Sequence, residues 1–211
     1  GEYGEYDENL RTILNLMLKT SSNTLRLVKN LLAVFKYDTK DYKLLSKTVK
    51  IREIINNAIK TVEPLLGSKK MRVTVDIEAD YSFFCDPFEI ERVLMNLLSN
   101  SIKYSPDESQ VNISVYREGD FYIVSVDDNG FGIKEEQLAT LFNRFWQLKV
   151  YDSHTNGTGL GLYLSRQIVE AHGGTIWVEK KETRGTKICF KLPVYSEIAM
   201  NQALGVRGEG I

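Results

Sequence analysis

The sequence predicts a two-layer α/β sandwich preceded by one long helix. Alternating apolar and polar runs come in hairpin pairs around short turns, VNISVYRE with FYIVSVDD and TIWVEK with TKICFKLP. Between and before them lie segments with a helical apolar period, so the strands form an antiparallel or mixed sheet and the helices cover one of its faces. The N-terminal stretch, by contrast, carries one sustained helical period and no strand pattern.

With 211 residues, the chain is long enough for one ordinary domain and an appendage. Its 27 basic residues against 28 acidic ones give no bulk attraction to nucleic acid or to an anionic membrane. No nucleic acid is therefore expected as a partner, and any phosphate ligand needs a local site. The apolar runs are too short to span a bilayer, and no signal peptide opens the chain. Cys85 and Cys189 fit no metal or redox spacing and read as two buried thiols in a reducing compartment.

Residues from about Glu8 to Tyr37 read as the long helix. Leu14, Leu18, Ser21, Leu25, Val28, Leu32 and Phe35 alternate by four and three, an apolar seam that needs a partner helix from this chain or from a second copy. YDTKDYKLLSKT reads as a hinge. A second helix is expected over Ile51 to Leu66, ending around Gly67. MRVTVDI then alternates as a strand, with Met71, Val73, Val75 and Ile77 on one face.

In CDPFEIERVLMNLLSNSIKYSP, Asp86 is a good N-cap, Pro87 suits the first helical position, and Glu89 completes a capping box. Pro106 lies just past the helix end. The two alternating runs around Gly119-Asp120 follow as a hairpin. A short helix is expected from about Lys134 to Leu141, and another from Leu160 to His172 stopped by Gly173-Gly174. A last hairpin turns at Arg184-Gly185, and from Tyr195 the chain loses periodicity as a loose tail.

Three segments carry polar residues that packing does not explain. At about 100° per residue, Asn96, Asn100 and Lys103 share one narrow sector of their helix, beside a packing sector of Ile90, Val93, Leu94, Leu97 and Ser101. Two amides and a cation thus face one point; the plain alternative is a solvated polar face. FYIVSVDD runs into DNGFGI, where Gly130 and Gly132 permit a tight turn. Asp128 is an acceptor-only group there, suited to the exocyclic amine of adenine and repelling a carbonyl at the same place. GTGLGL, Gly157 to Leu162, enters a helix and offers N–H groups and the positive end of a dipole to phosphate. It is neither a Walker A loop nor a dinucleotide fingerprint. Together the pieces suit one ligand, an adenine nucleotide whose Mg²⁺ takes amide carbonyl oxygens.

In order, NLLSNSIKYS, DDNGFGI, LFNRFW, GTGLGL and RGT resemble the N, G1, F, G2 and G3 boxes of bacterial sensor histidine kinases, over about residues 50 to 194. The resemblance implies the ATP-binding fold shared with type II topoisomerases, heat-shock ATPase chaperones and mismatch-repair ATPases. It divides the chain into a second dimerisation helix with its hinge (1–48), a catalytic ATP-binding domain (49–194) and a tail (195–211). It also implies that Asn96 and Asn100 hold Mg²⁺ and phosphates, that Lys103 contacts phosphate and that Tyr104 flanks the nucleotide. Asp128 takes the adenine amine, while Gly130, Gly132 and Ile133 shape the adenine pocket and Thr186 supports it. Gly157, Thr158, Gly159, Leu160, Gly161 and Leu162 form the phosphate-facing end of a mobile lid that begins around Phe142 to Phe145. Arg144 reaches phosphate when that lid closes. The family commonly has an acid where Asn143 stands and Ala where Ser101 stands.

By the same resemblance, ATP phosphorylates a His on the first helix of a dimeric hairpin. The helix from Glu8 to Tyr37 resembles the second helix of that hairpin, and no His precedes residue 154. His172, in EAHGG, matches a non-acceptor position, and His154, in YDSHTNG, falls in the lid without a following acid. The abrupt start inside a helical pattern reads as a fragment. The expected partners are therefore ATP, the missing phosphoacceptor helix, a response regulator receiver domain, and a second copy joined through residues 8–37. The expected location is cytoplasmic, whether or not the parent is membrane-anchored. Two other readings remain open, an ATPase clamp of the same superfamily and a non-catalytic interaction module.

Overall fold

The four-and-three apolar spacing near the N-terminus produces a single helix, α1 (Glu8–Asp38). In this computed structural model, residues 7–39, 42–147 and 158–195 are described. The chain falls into two units, Gly1–Asp41 and Tyr42–Ile211. The first is α1, on which Leu14, Leu18, Leu25, Val28, Leu32 and Phe35 are all exposed. The expected tail from residue 196 onward lies outside the described residues. Among the described residues, no helix is long and apolar enough to cross a membrane.

The second unit begins with a strand where a hinge was expected. KTVK forms β1 (Lys47–Lys50), paired antiparallel with another unforeseen strand, β3 (Ser82–Cys85). Four residues carry too little alternation to declare a strand, and this pair is held by a contact distant in sequence. Between them come α2 (Ile51–Ser68) and β2 (Arg72–Ile77). After them come α3 (Pro87–Tyr104), β4 (Gln110–Glu118) and β5 (Phe121–Asp128). A single turn, α4 (Glu135–Leu138), replaces the longer helix expected to Leu141. The unit closes with α5 (Gly161–Ala171), β6 (Thr175–Glu179) and β7 (Thr186–Pro193).

The main sheet runs β2-β4-β5-β7-β6, with β2 parallel to β4 and every other pair antiparallel. Val111, Ile113 and Val115 on β4, Val124 and Val126 on β5, and Ile188 and Phe190 on β7 point to one face and are buried. They meet the buried sectors of α2, α3 and α5, among them Ile55, Leu94, Leu97, Leu98 and Ile168. The mixed two-layer sandwich expected from the sequence is the one observed. Both thiols are buried, and burial pushes Cys85 and Cys189 up to about 12, so neither is a reactive thiolate at neutral pH.

The entry to α3 differs in one respect from expectation. Asp86 caps it as foreseen, its Oδ1 accepting from the N–H of Phe88 at 3.1 Å and of Glu89 at 3.4 Å. The capping box does not close, because Asp86 N–H donates instead to His172 Nε2 at 3.0 Å. Glu89 turns toward Arg92, 3.8 Å away. The Asp86 N–H fixes Nε2 as the acceptor, so Nδ1 carries the proton and donates to the Ile168 carbonyl at 2.7 Å. His172, at the end of α5, is thereby a buried joint between the two helices that frame the site.

Replacing His172 by Ala strands the buried Asp86 N–H and is expected to cost about 2–4 kcal/mol in urea unfolding. Burial lowers the His172 pKa below its ordinary 6.5, opposed by its bond to Ile168 and by the charges of Asp86 and Glu89. The unfolded chain therefore binds this proton more readily, and the stabilising contribution is complete above pH 6.5 and lost as pH falls through the lower folded value. Urea midpoints of the wild-type chain should decline below that pH more steeply than those of His172→Ala.

Candidate nucleotide site

The site is framed by α3, the end of β5, the start of β7 and the start of α5. Asp128 is the last residue of β5 and is buried. Its Oδ1 accepts from the N–H of Gly130 at 2.9 Å and of Thr186 at 3.1 Å, and its Oδ2 accepts from Ser101 Oγ at 2.9 Å. Burial pushes the Asp128 carboxyl above its usual range, and the bonds from Gly130, Ser101 and Thr186, with the charge of Lys181, oppose that. Lys181 also donates to the Asp128 carbonyl at 2.8 Å while pairing with Asp127.

One lone-pair direction on Oδ2 remains unfilled by these bonds, enough for a single further donor. Across Gly130, on the Oδ1 side of the carboxylate, the buried Ser105 Oγ has no hydrogen-bond partner among the described residues. Gly130 is required there, since a Cβ would stand 2.5 Å from the Tyr104 carbonyl and 3.1 Å from Ser105 Oγ. The unfilled acceptor direction on Oδ2 fits one donor on the polar edge of a bound base. Gly132, Ile133 and Thr186 line a cavity of about 380 Å³ walled by Phe131, Leu138 and Val178, to which neither Asp128 nor the α3 stripe contributes.

The stripe on α3 appears as the periodicity predicts. Asn96, Asn100, Lys103 and Tyr104 are half-buried, while Ile90, Val93, Leu94, Leu97 and Ser101 are buried. Asn96 is already engaged, its Nδ2 donating to the buried Ser165 Oγ on α5 at 2.9 Å. Its Oδ1 lies where a Cβ on Gly161 would collide with it, so that glycine lets α5 approach the amide. The Asn100 side chain makes no hydrogen bond among the described residues. Lys103 Nζ stands 4.7 Å above the Tyr104 ring. Lys69 holds the helix end from outside, donating to the Ser105 carbonyl at 2.7 Å.

At the start of α5, Leu160 occupies the N-cap position without a capping side chain, leaving the N–H groups of Gly161 and Leu162 to a ligand or to water. Thr158 Oγ1 accepts from Leu160 N–H at 3.4 Å, and Leu162 is half-buried in the first turn. Gly159 (φ +68°) packs where a Cβ would stand 2.5 Å from a backbone carbon of Phe145, itself in the left-handed region at φ +62°. Arg144 stacks over Tyr163 of α5, 4.8 Å from the ring, and donates to its hydroxyl at 2.9 Å. The expected site residue Gly157, and His154 with it, lie outside the described residues. Ser165, Tyr163 and Lys69 were not foreseen; each acts through a partner distant in sequence, which periodicity does not report.

Residues 85–196 match the model of the family described as histidine kinase-, DNA gyrase B-, and HSP90-like ATPase, and the chain belongs to that family. Sensor histidine kinase WalK of Bacillus subtilis is 33% identical over 196 residues, covering 90% of this chain and 32% of WalK. The chain thus spans about a third of that relative's length. Histidine kinase ThkA in complex with response regulator protein TrrA is similar in structure, with a TM-score of 0.71, 23% identity and coverage of 92% of this chain and 54% of that one. Full-length ShkA in complex with AMPPNP gives a TM-score of 0.77, 21% identity and coverage of 91% and 40%. At those identities the two structures establish the fold.

Two glycines separate site geometry from helix propensity. Gly130→Ala forces a side chain against the Tyr104 carbonyl and is expected to lower unfolding free energy by about 1–3 kcal/mol. Gly67→Ala, inside α2 with nothing within 4 Å of the new methyl, is expected to raise it by about 0.5–1 kcal/mol. Chemical denaturation of both variants checks the pair.

Proposed function

We propose that this chain is the ATP-binding catalytic portion of a sensor histidine kinase, which presents the γ-phosphoryl group of ATP to a histidine on another helix in two-component signalling. The observation that carries the reading is Asp128: a buried strand-end carboxylate held by three donors and left with one acceptor direction. An adenine amine satisfies that direction, whereas a guanine carbonyl there would face a like lone pair. Gly130, Gly132, Ile133 and Thr186 border the base, and Tyr104 flanks it.

The phosphates then lie along the α3 stripe toward the start of α5. Asn100 would offer a carbonyl oxygen to Mg²⁺, and Asn96 would add its Oδ1, since the bond to Ser165 engages only its Nδ2. Mg²⁺ keeps most of its remaining ligands from water and phosphate, so two neutral amides suffice to place it with the nucleotide. Lys103 and the N–H groups of Gly161 and Leu162 neutralise phosphate charge. Gly157, Thr158, Gly159 and Leu160 carry the lid, and Arg144 exchanges Tyr163 for phosphate as the lid closes.

In the transfer, the bond from the γ-phosphorus to the bridging oxygen breaks while a bond to the acceptor imidazole nitrogen forms, and ADP leaves. Positioning and charge neutralisation supply the catalysis. His172 is unsuited as acceptor, because both ring nitrogens are engaged and the ring is buried. The acceptor belongs to the phosphoacceptor helix of the same kinase, with the exposed apolar seam of α1 taking partner helices from a second copy. A response regulator receiver domain accepts the phosphoryl group next, in the cytoplasm where ATP is supplied.

Calorimetric titration with ATP and GTP, with and without Mg²⁺, tests this reading. ATP binding should be Mg²⁺-linked and preferred over GTP, and Asp128→Asn should weaken it at least about tenfold, as expected for a charge-assisted hydrogen bond. Incubation with γ-labelled ATP should leave the chain unlabelled. Stable label would place the acceptor within this sequence, and rapid hydrolysis without a histidine substrate would favour a clamp ATPase.

A further inference from the structure

Ser101 stands in the packing sector of α3, yet its hydroxyl is not idle. It is buried, and Oγ donates to Asp128 Oδ2 at 2.9 Å. A serine hydroxyl has one proton and two lone pairs, so this bond commits its only donor. The other carboxylate oxygen is already filled by the N–H groups of Gly130 and Thr186. Any amine that reaches Asp128 must therefore approach Oδ2, next to a serine oxygen that has only lone pairs left to show.

We propose that Ser101 is a positioning and specificity residue for base recognition: by spending its proton on Asp128 Oδ2, it turns the pair into an acceptor-only edge that takes an adenine amine and rejects a guanine carbonyl. This rests on the reading of Asp128 as the adenine-binding group. Without the hydroxyl, Oδ2 keeps no protein donor. The carboxylate then loses one of three bonds that hold its charge in a buried position, and a proton settles on it more readily. A protonated carboxyl is a donor as well as an acceptor, so it tolerates the carbonyl that the ionised form repels.

The surroundings leave little else to do this work. Among the described residues, the charged group bearing on Asp128 is Lys181, which bonds its backbone carbonyl and is itself paired with Asp127. From α3 the contact is the Ser101 hydroxyl, and from β7 and the loop after β5 it is backbone N–H.

The test is ATP and GTP affinity of the whole chain at pH 7.5 and 5.5 for wild type, Ser101→Ala, Ser101→Cys and Asp128→Asn. Cysteine is nearly isosteric with a weak donor, so it stands in if the alanine variant does not fold. Ser101→Ala or Ser101→Cys should lose about tenfold of the ATP-over-GTP preference. Their ATP affinity should also fall more steeply than that of wild type between the two pH values. A merely structural serine would weaken both nucleotides alike at both pH values. The inference is overturned if Ser101 variants keep the wild-type preference and pH dependence while Asp128→Asn destroys ATP binding. If Asp128→Asn binds ATP as wild type does, the underlying reading fails and takes this inference with it.

Discussion

The site depends on how an ionised carboxylate can be kept out of water. Burying such a group without partners costs several kcal/mol, and Asp128 is buried at the end of a central strand. Its partners come from three places in the sequence: Ser101 on α3, Gly130 just after β5, and Thr186 at the start of β7. Satisfying one carboxylate therefore fixes how α3 sits on the sheet, how the chain turns out of β5, and where β7 begins in register. The direct pairing of Asp128 with Thr186 in the β5–β7 ladder is part of the same arrangement. The group proposed to recognise adenine is thus also a group that assembles the fold.

A second polar joint braces the opposite end of α3. Asp86 caps that helix with one carboxylate oxygen and accepts from Leu45 N–H at 3.0 Å with the other, while its own N–H is held by His172. With Asn96 bonded to Ser165 in between, α3 and α5 are joined at two polar points along an otherwise apolar contact. Apolar packing alone permits sliding between helices, whereas buried hydrogen bonds penalise it. The start of α5 is consequently held at a set distance from the amides of α3.

Much of this was legible in the sequence, and for identifiable reasons. The polar stripe on α3 follows from helical periodicity alone, and Asp86-Pro87 marks the helix start because capping is a local interaction. Asp128 was legible because a strand running into Asp-Asn-Gly leaves an acceptor at a strand end. The failures share a cause. The capping box at Glu89 did not close because His172, far along the chain, takes the N–H that Glu89 would have taken. β1 and β3 were missed because each stabilises the other across a long sequence separation. Ser101 was read only as packing, since its alignment with Asp128 depends on where β5 ends. Local rules predict elements; partners supplied by the fold decide which of the local options is used.

The most direct test is a crystal structure of the chain soaked or grown with ADP and Mg²⁺ near neutral pH. The adenine amine should lie within about 3.2 Å of Asp128 Oδ2. The Ser101 bond should stay in place, and the phosphates should run toward Asn100 and the first turn of α5. An adenine bound with its amine away from Asp128, or a nucleotide seated elsewhere on the sandwich, would contradict this placement.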